Sequence, residues 1–170
     1  MVQSRKEDFT AEEIFQLAIR KEEESRNFYA FGPKHGGTTM KRLGDFIQAA
    51  DWKKEKHVPV IECPDTVKAG ELLQIMTSVG KEIKHPNTTE HHIRWIRLFF
   101  QPEGGKYTYL IGNFEFCAHG ESAEGPNTGP IYTDPHASAM MKTTMPGVIY
   151  AISFCNIHGL WENSKELKLS

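Results

Sequence analysis

From residue 45 onward the chain consists of short segments with strand-like patterns, separated by turn-forming residues. In one segment every second position is apolar or β-branched: Leu73, Ile75, Thr77 and Val79. This alternation is typical of a strand with one buried face. The predicted strands are 57–63, 71–79, 92–101, 107–116, 136–144, 147–155 and 165–169. About seven strands, with a turn every ten residues or so, favour a mainly β fold arranged as a β-sandwich.

Residues 1–39 have a different pattern. Thr10 and Glu13 are spaced as a capping box, and apolar side chains recur at helical intervals after them. We therefore expect a helix from about residue 11 to residue 29, ended by Gly32-Pro33. The predicted organisation is an N-terminal α-helical extension, residues 1–39, followed by a β domain, residues 40–170.

Charge and composition exclude several classes of function. The chain has 170 residues and a net charge of −2, which argues against nucleic acid or an anionic membrane as partner. It has no apolar run of the roughly 20 residues that a membrane helix needs. No apolar stretch follows Arg5 and Lys6, so we expect a cytoplasmic protein. The three cysteines form no CxxC pair, which makes a disulfide framework or a four-cysteine metal site improbable.

A cysteine and a histidine stand three positions apart at the end of an apolar segment. Cys155 ends the predicted strand 147–155, and His158 follows in a turn before Gly159. One tight turn can direct both side chains to the same ion. The alternative is a buried free cysteine beside a surface histidine, and this pair alone does not decide between them.

Further histidines surround a short loop. His85 precedes Pro86, and His91 lies six residues later, next to His92. Neighbouring residues of a strand point to opposite faces, so only one of His91 and His92 should be a ligand. A histidine-rich loop without an ion is the alternative.

The third group combines a carboxylate, a cation and an imidazole in Glu55-Lys56-His57. A solvated charge run is the alternative for this segment. Taken together, the groups predict a mononuclear site with four imidazoles and one thiolate, donors that suit iron, copper or zinc. Five such donors leave a sixth octahedral position open, unlike a closed structural site. A lysine beside that position would attract a small anion.

Three motifs of the chain, in this order, resemble those of the superoxide reductases of the one-iron neelaredoxin type, in the desulfoferrodoxin family. They are Glu55-Lys56-His57-Val58-Pro59, then the segment from Lys84 to Ile93 (KHPNTTEHHI), then Cys155-Asn156-Ile157-His158-Gly159-Leu160-Trp161. The resemblance extends from about Met40 to the end of the chain.

The resemblance implies a specific iron site and reaction. Four histidines would be the equatorial ligands of one Fe²⁺/Fe³⁺ ion: His57, His85, His91 and His158. Cys155 would be the axial ligand, Glu55 the sixth ligand in the oxidised state, and Lys56 would steer superoxide. The implied reaction is the one-electron reduction of superoxide to hydrogen peroxide, with re-reduction by a rubredoxin-like donor. The family also implies a seven-stranded immunoglobulin-like sandwich and a homotetramer.

The chain departs from its relatives in two respects. It lacks the cysteines for the additional iron centre of the longer desulfoferrodoxins, and residues 1–39 have no counterpart in typical one-iron members. Two alternatives remain at this point. One is a non-catalytic iron module for electron transfer, and the other is a structural zinc site, although five donors exceed the four that structural zinc normally takes.

Overall fold

The computed structural model describes Thr10 and residues 40–170. Residues 42–170 form one unit of the chain. The predicted helix at 11–29 lies outside the described residues. The boundary predicted between residues 39 and 40 stays a prediction.

The described residues form one short 3-10 helix, Leu43–Phe46, and nine strands. The strands are β1 (Gln48–Ala49), β2 (Val60–Glu62), β3 (Thr66–Val67), β4 (Leu73–Ser78), β5 (Ile93–Pro102), β6 (Tyr109–Glu115), β7 (His136–Met141), β8 (Gly147–Cys155) and β9 (Gly159–Leu169). Among the described residues, no helix has the length and apolar character needed to cross a membrane.

The strands form two sheets. The larger has the order β1-β9-β8-β5-β6, with β3 also pairing with β9, and the smaller has the order β2-β4-β7. The long strands pair antiparallel, whereas β1 and β3 each pair with β9 in parallel. The predicted mainly β, sandwich-like fold is therefore confirmed.

The core lies between the two sheets. Its main cluster contains Ile61, Leu73 and Ile75 from the small sheet and Leu98, Phe100, Ile149, Ala151 and Leu167 from the large one. A second cluster lies at one end of the sandwich and consists of Val79, Ile93, Ile96, Phe116 and Cys155. The thiol of Cys155 is thus placed by packing at the end of β8.

The first and last predicted strands differ most from the observed ones, and the bounds of most others shift by one to three residues. The last strand begins at Gly159, not at residue 165, because β9 pairs with β8 along its whole length. Its first half, GLWENS, carries no clear alternation of apolar and polar side chains. The first predicted strand shortens to Val60–Glu62, since residues 57–59 lie in the turn that carries His57. The strands β1 and β3 have two residues each, which is too short to show an alternation from which a strand could be predicted.

Candidate metal centre

A hairpin turn holds Cys155 and His158. Cys155 ends β8 and pairs with Gly159, the first residue of β9, so three residues form the connection. Gly159 has φ 75°, a left-handed conformation that suits glycine and commonly closes three-residue hairpins. The buried Sγ of Cys155 lies 3.6 Å from Nδ1 of the exposed His158. The turn therefore brings both side chains to one place.

His57 reaches the turn from the segment before β2. Its Nε2 lies 3.0 Å from Nδ1 of His158. Ser153 donates a hydrogen bond from its hydroxyl to the His57 carbonyl at 2.8 Å, which ties this segment to β8. The Trp161 ring stacks on the His57 ring with a centroid distance of 5.0 Å. The backbone and the ring of His57 are therefore both held from the large sheet.

The loop between β4 and β5 carries His85 and His91. Their ring centroids are 4.6 Å apart. Nδ1 of His85 donates to the Pro86 carbonyl at 2.6 Å, since a carbonyl oxygen can only accept, and this leaves Nε2 as the ring atom with a free lone pair. Thr88 holds His91: its Oγ1 accepts from the His91 amide at 3.1 Å.

Four donor atoms, from His57, His85, His91 and Cys155, all lie within 4.8 Å of one another. His158 adjoins this group through the contacts with His57 and Cys155 described above. Nε2 of His85 and Nε2 of His91 are buried and have no hydrogen-bond partner among the described residues. A buried nitrogen without a partner is costly unless something else binds it.

The spacing agrees with donors that share one ion. Two nitrogens about 2.1 Å from an ion and at right angles lie about 3.0 Å apart, and opposite nitrogens lie about 4.2 Å apart. The 3.0 Å between His57 and His158 and the limit of 4.8 Å for the group fall close to these values. The residues present therefore fit a transition-metal ion bound by imidazoles and a thiolate.

The imidazoles of the group are held in the neutral form that binds metals. Burial lowers the pKa of His57, His85 and His91, and takes that of His85 to about 4. The positive charge of Lys56 adds to the lowering in all three. Lys56 therefore lies near enough to the three histidines for its charge to lower their pKa values.

Glu55 lies on the outer side of His57. Its Oε1 accepts hydrogen bonds from Nδ1 of His57 at 2.6 Å and from the His57 amide at 3.2 Å. Burial by itself would raise the pKa of Glu55, but the hydrogen bonds from His57 lower it. The carboxylate contacts the ring nitrogen that faces away from His158, and Glu55 is not one of the four clustered donors. Its role as sixth ligand stays a prediction.

Sequence reasoning missed a second pair of histidines. His92 and His119 are both buried, and their rings stack with centroids 3.7 Å apart and planes 7° apart. Neither residue matches a ligand position of the three motifs, and the sequence predicted only that each is structural or exposed. Strand alternation placed His92 on the face opposite His91, but nothing local indicates that residue 119 packs there.

Comparisons with known proteins agree with this geometry. The Desulfoferrodoxin family matches residues 49–164. Neelaredoxin of Megalodesulfovibrio gigas is 59% identical over 128 residues, 75% of this chain and 98% of that protein. Superoxide reductase of Pyrococcus furiosus is 55% identical over 126 residues, 74% of this chain and 99% of that protein.

A solved structure shares the fold. The superoxide reductase (neelaredoxin) of Archaeoglobus fulgidus in the reduced form has a TM-score of 0.68 and 56% identity, and the match covers 73% of this chain and 99% of that one. These matches confirm the resemblance found in the three motifs. The chain belongs to the desulfoferrodoxin family.

Proposed function

We propose that the protein is a superoxide reductase, which converts superoxide, one electron and two protons to hydrogen peroxide. The observation that carries the proposal is the convergence of the four clustered donors, with two buried ring nitrogens that have no partner among the described residues. A relative named superoxide reductase, 55% identical over nearly its whole length, supports the same reaction.

The ligands in this proposal are the five side chains at the site, holding one iron per chain: His57, His85, His91, His158 and Cys155. When bound, the iron would supply the electron that superoxide accepts, and an external donor would have to return that electron. The lowered pKa values of His57, His85 and His91 keep these rings neutral at pH 7. Cys155, buried at the end of β8, supplies the thiolate.

Lys56 and Glu55 have separate roles in the proposal. The charge of Lys56 acts on three of the clustered histidines, so it also raises the local concentration of an anion such as superoxide. A simple electron carrier gains nothing from such a charge, which favours an enzyme over a non-catalytic iron module. Glu55, bound to Nδ1 of His57, would have to leave that contact to become the sixth ligand in the oxidised state.

Several expectations from the sequence belong to the same proposal. They are a rubredoxin-like electron donor, a homotetramer, a cytoplasmic location and the seven-stranded immunoglobulin-like form of the sandwich. The two sheets with a buried core between them support the last of these.

The stoichiometry of the reaction tests the proposal. The full-length, iron-loaded, reduced protein would be mixed anaerobically with superoxide, and peroxide and oxygen would be measured. A reductase forms one peroxide for each superoxide consumed and no oxygen. Equal amounts of peroxide and oxygen would indicate dismutation, and an unchanged rate of superoxide decay would indicate a carrier or a structural site. Either result would contradict the proposal.

A further inference from the structure

The stacked pair of His92 and His119 lies directly behind the loop that carries His85 and His91. His92 is 5% exposed and His119 is 3% exposed, so both are as buried as core residues. Burying two imidazoles in place of apolar side chains costs free energy unless their nitrogens are hydrogen-bonded. The partners of these nitrogens therefore indicate what the pair does.

The pair contacts the loop at two points. Nδ1 of His92 donates to the Thr88 carbonyl at 2.8 Å. Nδ1 of His119 lies 2.6 Å from Oδ1 of Asn87. The Asn87 amide donates from Nδ2 to the Thr133 carbonyl at 3.1 Å, which fixes Oδ1 as the atom that faces His119. Both contacts fall on residues between His85 and His91.

Thr88, which accepts the hydrogen bond from His92, is itself hydrogen-bonded to the backbone of His91. The Thr88 amide donates to the His91 carbonyl at 3.0 Å, and Thr88 Oγ1 accepts from the His91 amide at 3.1 Å. A change in the position of Thr88 would therefore move His91 as well. Nε2 of His119 lies 2.9 Å from the Phe116 carbonyl. Because a neutral imidazole carries one N–H and both ring nitrogens of His119 face oxygen acceptors, the ring donates at only one of these two contacts.

The backbone of His92 also contacts the turn of Cys155 and His158. Its amide donates to Oδ1 of Asn156 at 2.8 Å, and its carbonyl accepts from the Asn156 amide at 3.2 Å. His92 thus joins the loop of His85 and His91 to the turn that carries the other donors.

We propose that His92 and His119 are positioning residues that hold the loop of His85 and His91 in the geometry that binds the metal. This inference rests on the metal site of the proposed function. Partners that orient metal ligands from behind typically change metal affinity about 10- to 100-fold when they are replaced. The pair acts on the ligands through Thr88 and Asn87 and does not itself need to contact the ion.

The test measures Co²⁺ binding by the full-length, metal-free protein, with affinity from chelator competition and geometry from the visible spectrum. His92→Phe keeps a stacked ring but cannot donate to Thr88, so we expect about ten-fold weaker binding and an altered spectrum. His92→Asn can donate from its amide at nearly the same place, so it should recover most of the affinity. A merely structural role predicts no such recovery. His136→Phe, at an exposed position on β7, is the control and should bind as wild type.

The outcomes separate this proposal from the proposed function. If wild type binds no Co²⁺, the metal site itself is wrong. If wild type and His92→Phe bind with equal affinity and the same spectrum, the positioning role is overturned. If His92→Phe does not fold, the Co²⁺ affinities of Thr88→Val and Thr88→Ser are compared instead. Only serine keeps the hydroxyl that contacts His91. We expect weaker binding for valine than for serine, and equal binding would overturn the proposal.

Discussion

At the scale of single residues, the contact made by one ring nitrogen selects the nitrogen that faces the centre in two of the histidines. Nδ1 of His57 is bound to Glu55, and Nδ1 of His85 is bound to the Pro86 carbonyl. Each contact fixes the tautomer and leaves Nε2 to face the other donors. These contacts therefore orient the lone pairs of both rings towards the other donors.

Replacing Lys56 tests electrostatic steering. Lys56→Ala should slow the reaction with superoxide by roughly two- to ten-fold at low ionic strength, because one attractive charge near the site is lost. The difference should shrink near 0.15 M salt, where the Debye length is only about 8 Å. Pulse radiolysis at several salt concentrations would measure both effects.

Lys54→Ala is the matched control, since it removes the same charge from a side chain that is 84% exposed and lies beside Asp51. It should change the rate much less than Lys56→Ala. Equal rates and equal salt dependence for the two variants would contradict a specific role for Lys56.

The lowered pKa values predict how stability depends on pH. Burial lowers the pKa of His85 from 6.5 to about 4, so between these values the unfolded chain binds a proton that the folded chain does not. The free energy of unfolding therefore decreases as the pH falls through this range. Below about pH 4, His85 causes no further decrease. Urea denaturation of the metal-free protein should show stability falling from pH 6.5 downward, less steeply in His85→Asn. Identical pH profiles for the two proteins would contradict this.

At the scale of elements, the turn between β8 and β9 depends on one glycine. Gly159 has φ 75°, and no described atom lies within 4 Å of a Cβ added there. The cost of Gly159→Ala is therefore conformational, about 1 kcal/mol of unfolding free energy. Gly159→Asn should cost less, because asparagine adopts this conformation more readily. Chemical denaturation would measure both, and an equal or larger loss for asparagine would contradict the explanation.

Strand β4 tests the alternation that predicted the fold. Ile75 is fully buried between the sheets, whereas its neighbour Met76 is 47% exposed. Ile75→Ala should lower the unfolding free energy by about 2 to 5 kcal/mol, and Met76→Ala should change it by less than about 1 kcal/mol. Thermal or urea denaturation compares the pair. Similar losses would mean that the two faces of β4 are not buried as described.

At the scale of the whole molecule, local sequence patterns predicted the strands better than they predicted the contacts between distant side chains. Strand β8 was predicted with its observed bounds, because a long apolar run between clear turns specifies a buried central strand. The donor groups at residues 57, 85, 91 and 155–158 could be found because each is a short motif.

The contacts that support those donors could not be predicted in the same way. The stacking of His92 on His119 joins residues that are far apart in the chain, and only the packing of β5 against its neighbours brings them together. Glu55 shows the same limit at short range. Nothing in its motif indicated the hydrogen bond that its carboxylate accepts from Nδ1 of His57.

The most direct test of the account is an anomalous-scattering map of crystals of the full-length protein, recorded on both sides of the iron absorption edge. We expect one iron peak per chain, within bonding distance of Cys155 and four histidines: His57, His85, His91 and His158. A zinc signal, an empty site after anaerobic loading with Fe²⁺, or a peak that excludes Cys155 would contradict the central claim.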